Sequence, residues 1–192
     1  MKQIQRNILW TGREYYSLEN CLINTTDSGT TINSAIVGLY QQKLYRVEYR
    51  IQTNPEWETM RVEVSCQHDN LRQAFAFEGD GKGSWLLNGN KEDSFSGCID
   101  VDIPLTPFTN SLPINRLKMK AGNEQTIRVI YIDLLEREIK PVQQKYICIS
   151  QTEYHYENIP NDFEANIIVD ESGFVVDYPS LFVRTFVEYT KY

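Results

Sequence analysis

The chain has 192 residues, with 19 Lys plus Arg against 26 Asp plus Glu and a formal net charge of −7. That length suits one domain that buries about 70% of its unfolded surface and so folds without disulfides or a metal. Hydrophobic residues at 41% and charged residues at 23% exclude a disordered chain, a coiled coil and a collagen-like repeat, and the acidic balance without a basic stripe excludes a nucleic-acid partner.

In chain order, Met1 to Trp10 carries polar residues where a signal peptide needs its apolar stretch, which predicts no export and a cytoplasmic setting. The first clear strand is Tyr45 to Ile51, where Tyr45, Val47, Tyr49 and Ile51 share one face and Arg46, Glu48 and Arg50 the other. Met60, Val62, Val64 and Cys66 alternate with Thr59, Arg61, Glu63 and Ser65 in the same way. Further on, Ile99, Val101 and Ile103 alternate with Cys98, Asp100 and Asp102, and Ile127, Val129 and Tyr131 share a face. Phe163, Ala165, Ile167 and Val169 repeat the pattern near the end.

Turn residues punctuate these segments at Asp27-Ser28-Gly29, Asn54-Pro55, Gly79-Asp80-Gly81, Asn88-Gly89, Gly122-Asn123 and Ser172-Gly173. Asn88-Gly89 is the clearest hairpin. Pro104, Pro107 and Pro113 predict an irregular extended loop, and Leu134 to Glu138 offers at most one helical turn before Pro141. The reading is an all-β chain spanning 1–192 as a single domain. Its sheet is antiparallel, spirally rolled or barrel-like, with little helix, because the apolar faces have few helices to cover them. The interior of such a roll either fills with side chains or leaves a slot for one ligand. The most apolar window, Ile127 to Leu135, contains Arg128 and Asp133 and falls short of the roughly 18 apolar residues that span a bilayer, so no transmembrane segment is predicted.

Cys21, Cys66, Cys98 and Cys148 never form C-x-x-C, and His68 and His155 stand alone, so neither a metal nor another cofactor is predicted and the cysteines read as small reduced hydrophobes. Gly79 to Ser84 fails as a phosphate loop because Gly follows Lys82 and a strand follows the glycines. Asp100 and Asp102, two apart on a strand and so about 6.6 Å apart, read first as solvated strand-face carboxylates; as an acid and base they support a hydrolase of a sugar or nucleotide conjugate. Arg46, Arg50 and Arg61 read as partners for Glu48 and Glu63, or as anchors for an anionic head group if the polar face lies inside. No nucleophile motif is present and no catalytic residue is assigned.

Read together, Tyr45 to Arg50, Trp57 with Arg61 to Val64, Trp85 with Asn88-Gly89, and above all Gly97 to Asp102 followed by Thr106 to Ile114 resemble a bacterial family, the putative glycolipid-binding proteins. The resemblance continues through Pro141 to Tyr146, Tyr154 with Tyr156, and Gly173 to Leu181, and spans about residues 10–183. It implies a spiral β-roll similar to half-barrel carriers of lipoproteins and glycolipids, and a non-enzymatic protein whose partner is an amphipathic small molecule. The expected ligand contacts are Trp57, Arg61, Asp100, Asp102, Asn110, Tyr146, Asp177 and Tyr178. The alternatives are a protein-interaction module with a filled core and, behind it, the Asp100/Asp102 hydrolase.

Overall fold

A computed structural model describes residues 3–191. Met1 and Lys2, on which the export reading partly rests, and Tyr192 lie outside them. The first half forms strands at Ile4–Gly12 (β1), Ser17–Thr26 (β2), Gly29–Tyr40 (β3), Lys43–Thr53 (β4), Thr59–His68 (β5), Leu71–Gly79 (β6), Trp85–Leu87 (β7) and Asn90–Lys91 (β8). After a short strand at Asp100–Asp102 (β9) and a helix at Ser111–Leu117 (α1), the chain continues through Glu124–Asp133 (β10), Glu138–Ser150 (β11), Glu153–Ile159 (β12), Glu164–Val169 (β13), Val175–Tyr178 (β14) and Phe182–Lys191 (β15).

Alternation in the sequence becomes alternation of burial. In β4, Tyr45, Val47, Tyr49 and Ile51 point into the core while Arg46, Glu48 and Arg50 face water. Val62, Val64 and Cys66 of β5 do the same. The outer face carries the arginines: Arg46 pairs with Glu48 at 2.5 Å and Arg61 with Glu63 at 2.9 Å. Asn88 and Gly89 take φ of 50° and 79°, the left-handed pair of a two-residue turn, and join β7 to β8.

All 15 strands form one sheet in the order β8-β7-β6-β5-β4-β3-β2-β1-β15-β14-β13-β12-β11-β10-β9. The chain starts at the centre, meanders to one edge, crosses to the other, and meanders back until β15 pairs antiparallel with β1. The crossing is short because the sheet curls until its edges meet. Gly97 N donates to Gly83 O at 2.9 Å, and the Trp85 indole donates to Cys98 O at 2.7 Å. The backbones there are so close that a Cβ on Gly83 would lie 2.8 Å from Gly97 Cα. The roll is therefore laced by loop contacts, and its edge strands β8 and β9 form no ladder with each other.

One expectation is corrected and two are made finer. The sheet is not antiparallel throughout, because β9 runs parallel to β10 through the pairs Val129–Asp100 and Tyr131–Asp102. The Pro104–Pro113 stretch is no extended loop: it forms a 3-10 turn at Phe108–Asn110 and then α1, with Phe108, Leu112 and Ile114 buried. Pro104 sits in a turn closed by Thr106 N donating to Ile103 O, and the other two prolines start helices instead of breaking strands. Pro107 precedes the 3-10 turn and Pro113 lies in the first turn of α1, where its missing N–H has no partner to lose. Leu134–Arg137, where at most one helical turn is expected, is the hairpin turn between β10 and β11, with Arg137 at φ 59°.

The interior divides in two. Around the first half of the roll Trp10, Phe77, Phe108 and Phe174 are fully buried, with Phe108 stacked between Tyr49 and Phe174 at 6.4 Å from each. This side is filled. All four cysteines are buried and unpaired, packed as the small hydrophobes the sequence suggests. The second cluster, around Tyr146, Tyr156, Tyr178 and Phe182, leaves space beside it.

Candidate ligand pocket

The space is a cavity of about 450 Å³ between the β9–α1 connection, β10, β11, β12 and the β14–β15 turn. The geometry starts with β9. Asp100 and Asp102 point to the same side, yet they meet different fates. Asp100 is completely buried, and Arg116 of α1 grips it with Nε 3.2 Å from both oxygens and Nη2 2.6 Å from Oδ2. Burial pushes the Asp100 carboxyl up and the guanidinium pulls it back. The expectation of two solvated strand-face carboxylates is overturned here, because both faces of this edge strand are covered, one by the core and the other by α1 and β11.

Asp102 lines the cavity. Its Oδ1 accepts from Thr109 Oγ1 at 3.1 Å and its Oδ2 from Gln144 Nε2 at 2.6 Å. Burial pushes its carboxyl above the usual range, these two donors oppose that, and the nearby Asp133 charge adds to it. Neither donor is a cation. Beside it, the buried Tyr146 hydroxyl donates to Asn110 Oδ1 at 2.9 Å. Asn110 therefore keeps its side-chain amide at the cavity wall. The floor is thus a row of fixed polar groups, Asp102, Gln144 and Asn110, held by partners behind them.

One wall is aromatic. Tyr156 lies 6.3 Å from Tyr178 and 6.1 Å from Phe163, and Tyr178 lies 6.4 Å from Phe182, mostly in tilted or edge-on arrangements. The lip is acidic, with Glu14, Glu138 and Asp162; its cation Lys140 is held by Glu138 at 2.8 Å. Such a site offers acceptors to hydroxyl groups and ring faces to an apolar surface, and it offers an anion little.

Of the residues singled out in sequence, the cavity gathers Asp102, Asn110 and Tyr178, with Tyr146 directly behind Asn110. The other four lie elsewhere. Trp57 packs on Phe174 at 6.0 Å, Arg61 is on the outer face, Asp100 is consumed by Arg116, and Asp177 pairs with Arg13 at 3.1 Å. Because Asp100 has no access to the cavity, the two aspartates cannot act as acid and base on one substrate. Gln144 and Tyr156 were missed, although Gln144 carries a readable signal: it shares the inward register of β11 with Val142, Tyr146 and Cys148.

His155 does not stand alone as its isolation in the sequence suggests. Its Nε2 lies 3.4 Å from Glu157 and 3.7 Å from Glu164, a group that could hold a metal ion. Lys145 Nζ, 3.8 Å from Glu157, already supplies a positive charge there. Among the described residues no helix is long and apolar enough to cross a membrane.

Fold and site together define a rolled-sheet protein with a filled half and a half that holds one polar-floored, aromatic-walled pocket. The profile of the family described as "Putative glycolipid-binding" matches residues 7–184, and the chain belongs to that family. It is similar to the crystal structure of a DUF1089 family protein from Pseudomonas aeruginosa, at 29% identity and a TM-score of 0.79, over 86% of this chain and 91% of that one. A beta-barrel-like protein of the DUF1849 family from Brucella abortus shares the fold at 7% identity and a TM-score of 0.53, over 98% of both chains. Among curated proteins none matches the sequence.

Proposed function

We propose that the protein binds the hydroxylated, uncharged head group of a glycolipid-like amphiphile in this pocket, without chemistry on it. The observation that carries the reading is Asp102: a half-buried carboxylate at the cavity floor whose protein partners are two neutral donors. A sugar hydroxyl donating to it satisfies the charge, while Tyr156 and Tyr178 cover the apolar face of the ring. A phosphate or carboxylate head would meet Glu14, Asp102, Glu138 and Asp162, so the arginine-anchored anion considered from sequence is not favoured. A cavity of about 450 Å³ falls in the lower part of the roughly 300–1,000 Å³ range of small-molecule pockets, which suits a sugar head with the tail outside. The setting is cytoplasmic, where four unpaired cysteines stay reduced.

Calorimetric titration with an alkyl glucoside below its micelle concentration tests this, with the matching alkyl phosphate as control. The glucoside is expected to bind and the phosphate not. Asp102→Asn is expected to weaken the glucoside by about tenfold or more, the worth of a hydrogen bond to a charged acceptor. Its melting temperature should hold, since Asn can still accept from Gln144 and donate to Thr109. Equal binding of both amphiphiles, or an unaffected Asp102→Asn, would count against the reading.

A further inference from the structure

Turns of an antiparallel meander alternate between the two ends of a sheet. The antiparallel β1–β15 pair puts the β14–β15 turn beside the β1–β2 turn, so the turns β1–β2, β3–β4, β5–β6, β10–β11, β12–β13 and β14–β15 share one end. Their contacts agree. Arg13 N donates to Leu181 O at 2.7 Å, the Tyr15 and Tyr40 rings are 6.2 Å apart, Tyr40 donates to Glu136, and Gln73 donates to Leu134 O. The pocket opens at this same end, where Glu14, Tyr15, Pro160, Asp162 and Leu181 form its lip.

Large apolar side chains stand exposed along this end. Tyr16 in the β1–β2 turn is 76% exposed and Leu44 beside the β3–β4 turn 80%. Leu18, Leu39, Leu71 and Phe163 are exposed as well, each at or within two residues of a turn. Leu18 faces Val37 across β2–β3 and Leu39 faces Leu44 across β3–β4, so part of the set forms a continuous patch. Isolated surface leucines need no explanation, but a patch of them beside a ligand pocket does.

Charge says what the patch fits. Here Lys43 pairs with Asp69 at 2.6 Å, Arg13 with Asp177 at 3.1 Å and Lys140 with Glu138 at 2.8 Å, so paired charges of both signs stand among the apolar tips. Glu14, Glu136 and Asp162 at this end add negative charge against Arg72 and Arg137, and the chain as a whole carries −7. Charges of both signs complement head groups that themselves carry one charge of each sign, while the acidic lip and the net charge oppose an anionic surface. The exposed side chains are also spread over four turns of this end, β1–β2, β3–β4, β5–β6 and β12–β13, a wider footprint than the shallow hollow beside Val37 and Leu44 alone.

We propose that this end docks on a zwitterionic lipid bilayer, its apolar tips reaching the boundary between head groups and acyl chains, some 5–10 Å deep. The pocket mouth then faces the head-group layer. Docking goes beyond the sugar-binding reading and can hold without it; if both hold, a bound head group leaves its tail in the bilayer.

Flotation with phosphatidylcholine vesicles that contain no sugar lipid tests docking alone. Wild type is expected to float with them and to bind phosphatidylglycerol vesicles more weakly. The triple variant Tyr16→Ser/Leu44→Ser/Leu71→Ser should bind phosphatidylcholine at least tenfold more weakly while keeping its circular dichroism and melting temperature. Phe186→Ser/Tyr189→Ser, which removes exposed rings from β15, should bind as wild type. Wild type that stays with the unbound fraction, a triple variant that floats equally well, or tighter binding to phosphatidylglycerol would overturn the proposal. So would sedimentation velocity showing a wild-type dimer that the triple variant no longer forms. None of these results bears on glucoside binding, which the calorimetric titration reads separately.

Discussion

Arg116→Met is expected to destabilise the protein by about 3–5 kcal/mol in urea denaturation, the cost of leaving a buried carboxylate without its counter-charge. Asp100 has no exposure, and Arg116 supplies all three of the side-chain hydrogen bonds it receives. Met keeps the aliphatic packing of the arginine stem, so the loss reports the charge. The double variant Asp100→Asn/Arg116→Met should recover most of it, because no charge is then stranded. A double variant no more stable than Arg116→Met alone would show that the arginine acts by packing. The pair also matters to the pocket: it clamps α1 to β9, and β9 carries Asp102 two residues on.

Glu19 should make stability fall as pH rises. It is buried in β2, where Ser34 Oγ and Tyr49 Oη each donate to Oε1 at 2.6 Å and Oε2 has no partner. Burial outweighs these bonds and pushes its carboxyl up from 4.5 to about 7. Charged or titratable neighbours are few: Cys21 on its own strand and Tyr45 and Tyr49 on β4, with the neutral Thr106 next to them. Between pH 4.5 and about 7 the folded chain holds a proton that the unfolded chain has lost. Its contribution is therefore fully present below that window, lost through it, and flat above it, a change of about 3 kcal/mol at 1.36 kcal/mol per unit. In Glu19→Gln this slope should vanish. Urea denaturation of both proteins at pH 5 and pH 8 reads the difference, and parallel pH dependence in the two would refute the assignment.

What was legible in sequence was whatever a two-residue period writes down. In β4 and β5 the charged residues face out and the inward ones are apolar except Thr53 and Thr59, which are buried where a bulge shifts the register, so between the bulge and the turn the side each strand buries follows from spacing. β2 breaks that rule: Glu19 points in while Leu18 points out, and the fold, not the pattern, decides which register is internal. Asp100 and Asp102 show the same limit. Their shared side follows from spacing, but not that α1 would bring Arg116 to one and that β11 would bring Gln144 to the other. Those contacts span 16 and 42 residues, and no local period encodes them. The prolines misled because Pro104, Pro107 and Pro113 look alike as strand breakers, whereas Pro107 caps the 3-10 turn and Pro113 fits the first turn of α1. Of the ligand contacts expected from sequence, Asp102, Asn110 and Tyr178 lie on the pocket wall. The rest of its wall depends on which strands the curl brings face to face.

The most direct test is a crystal structure of the protein soaked with an alkyl glucoside. The predicted result is a sugar ring against Tyr156 and Tyr178 with a hydroxyl within hydrogen-bond distance of Asp102, its alkyl chain leading out past the lip at Glu14 and Asp162. A pocket closed by its own side chains, or a glucoside bound elsewhere while Asp102 remains unvisited, would contradict it.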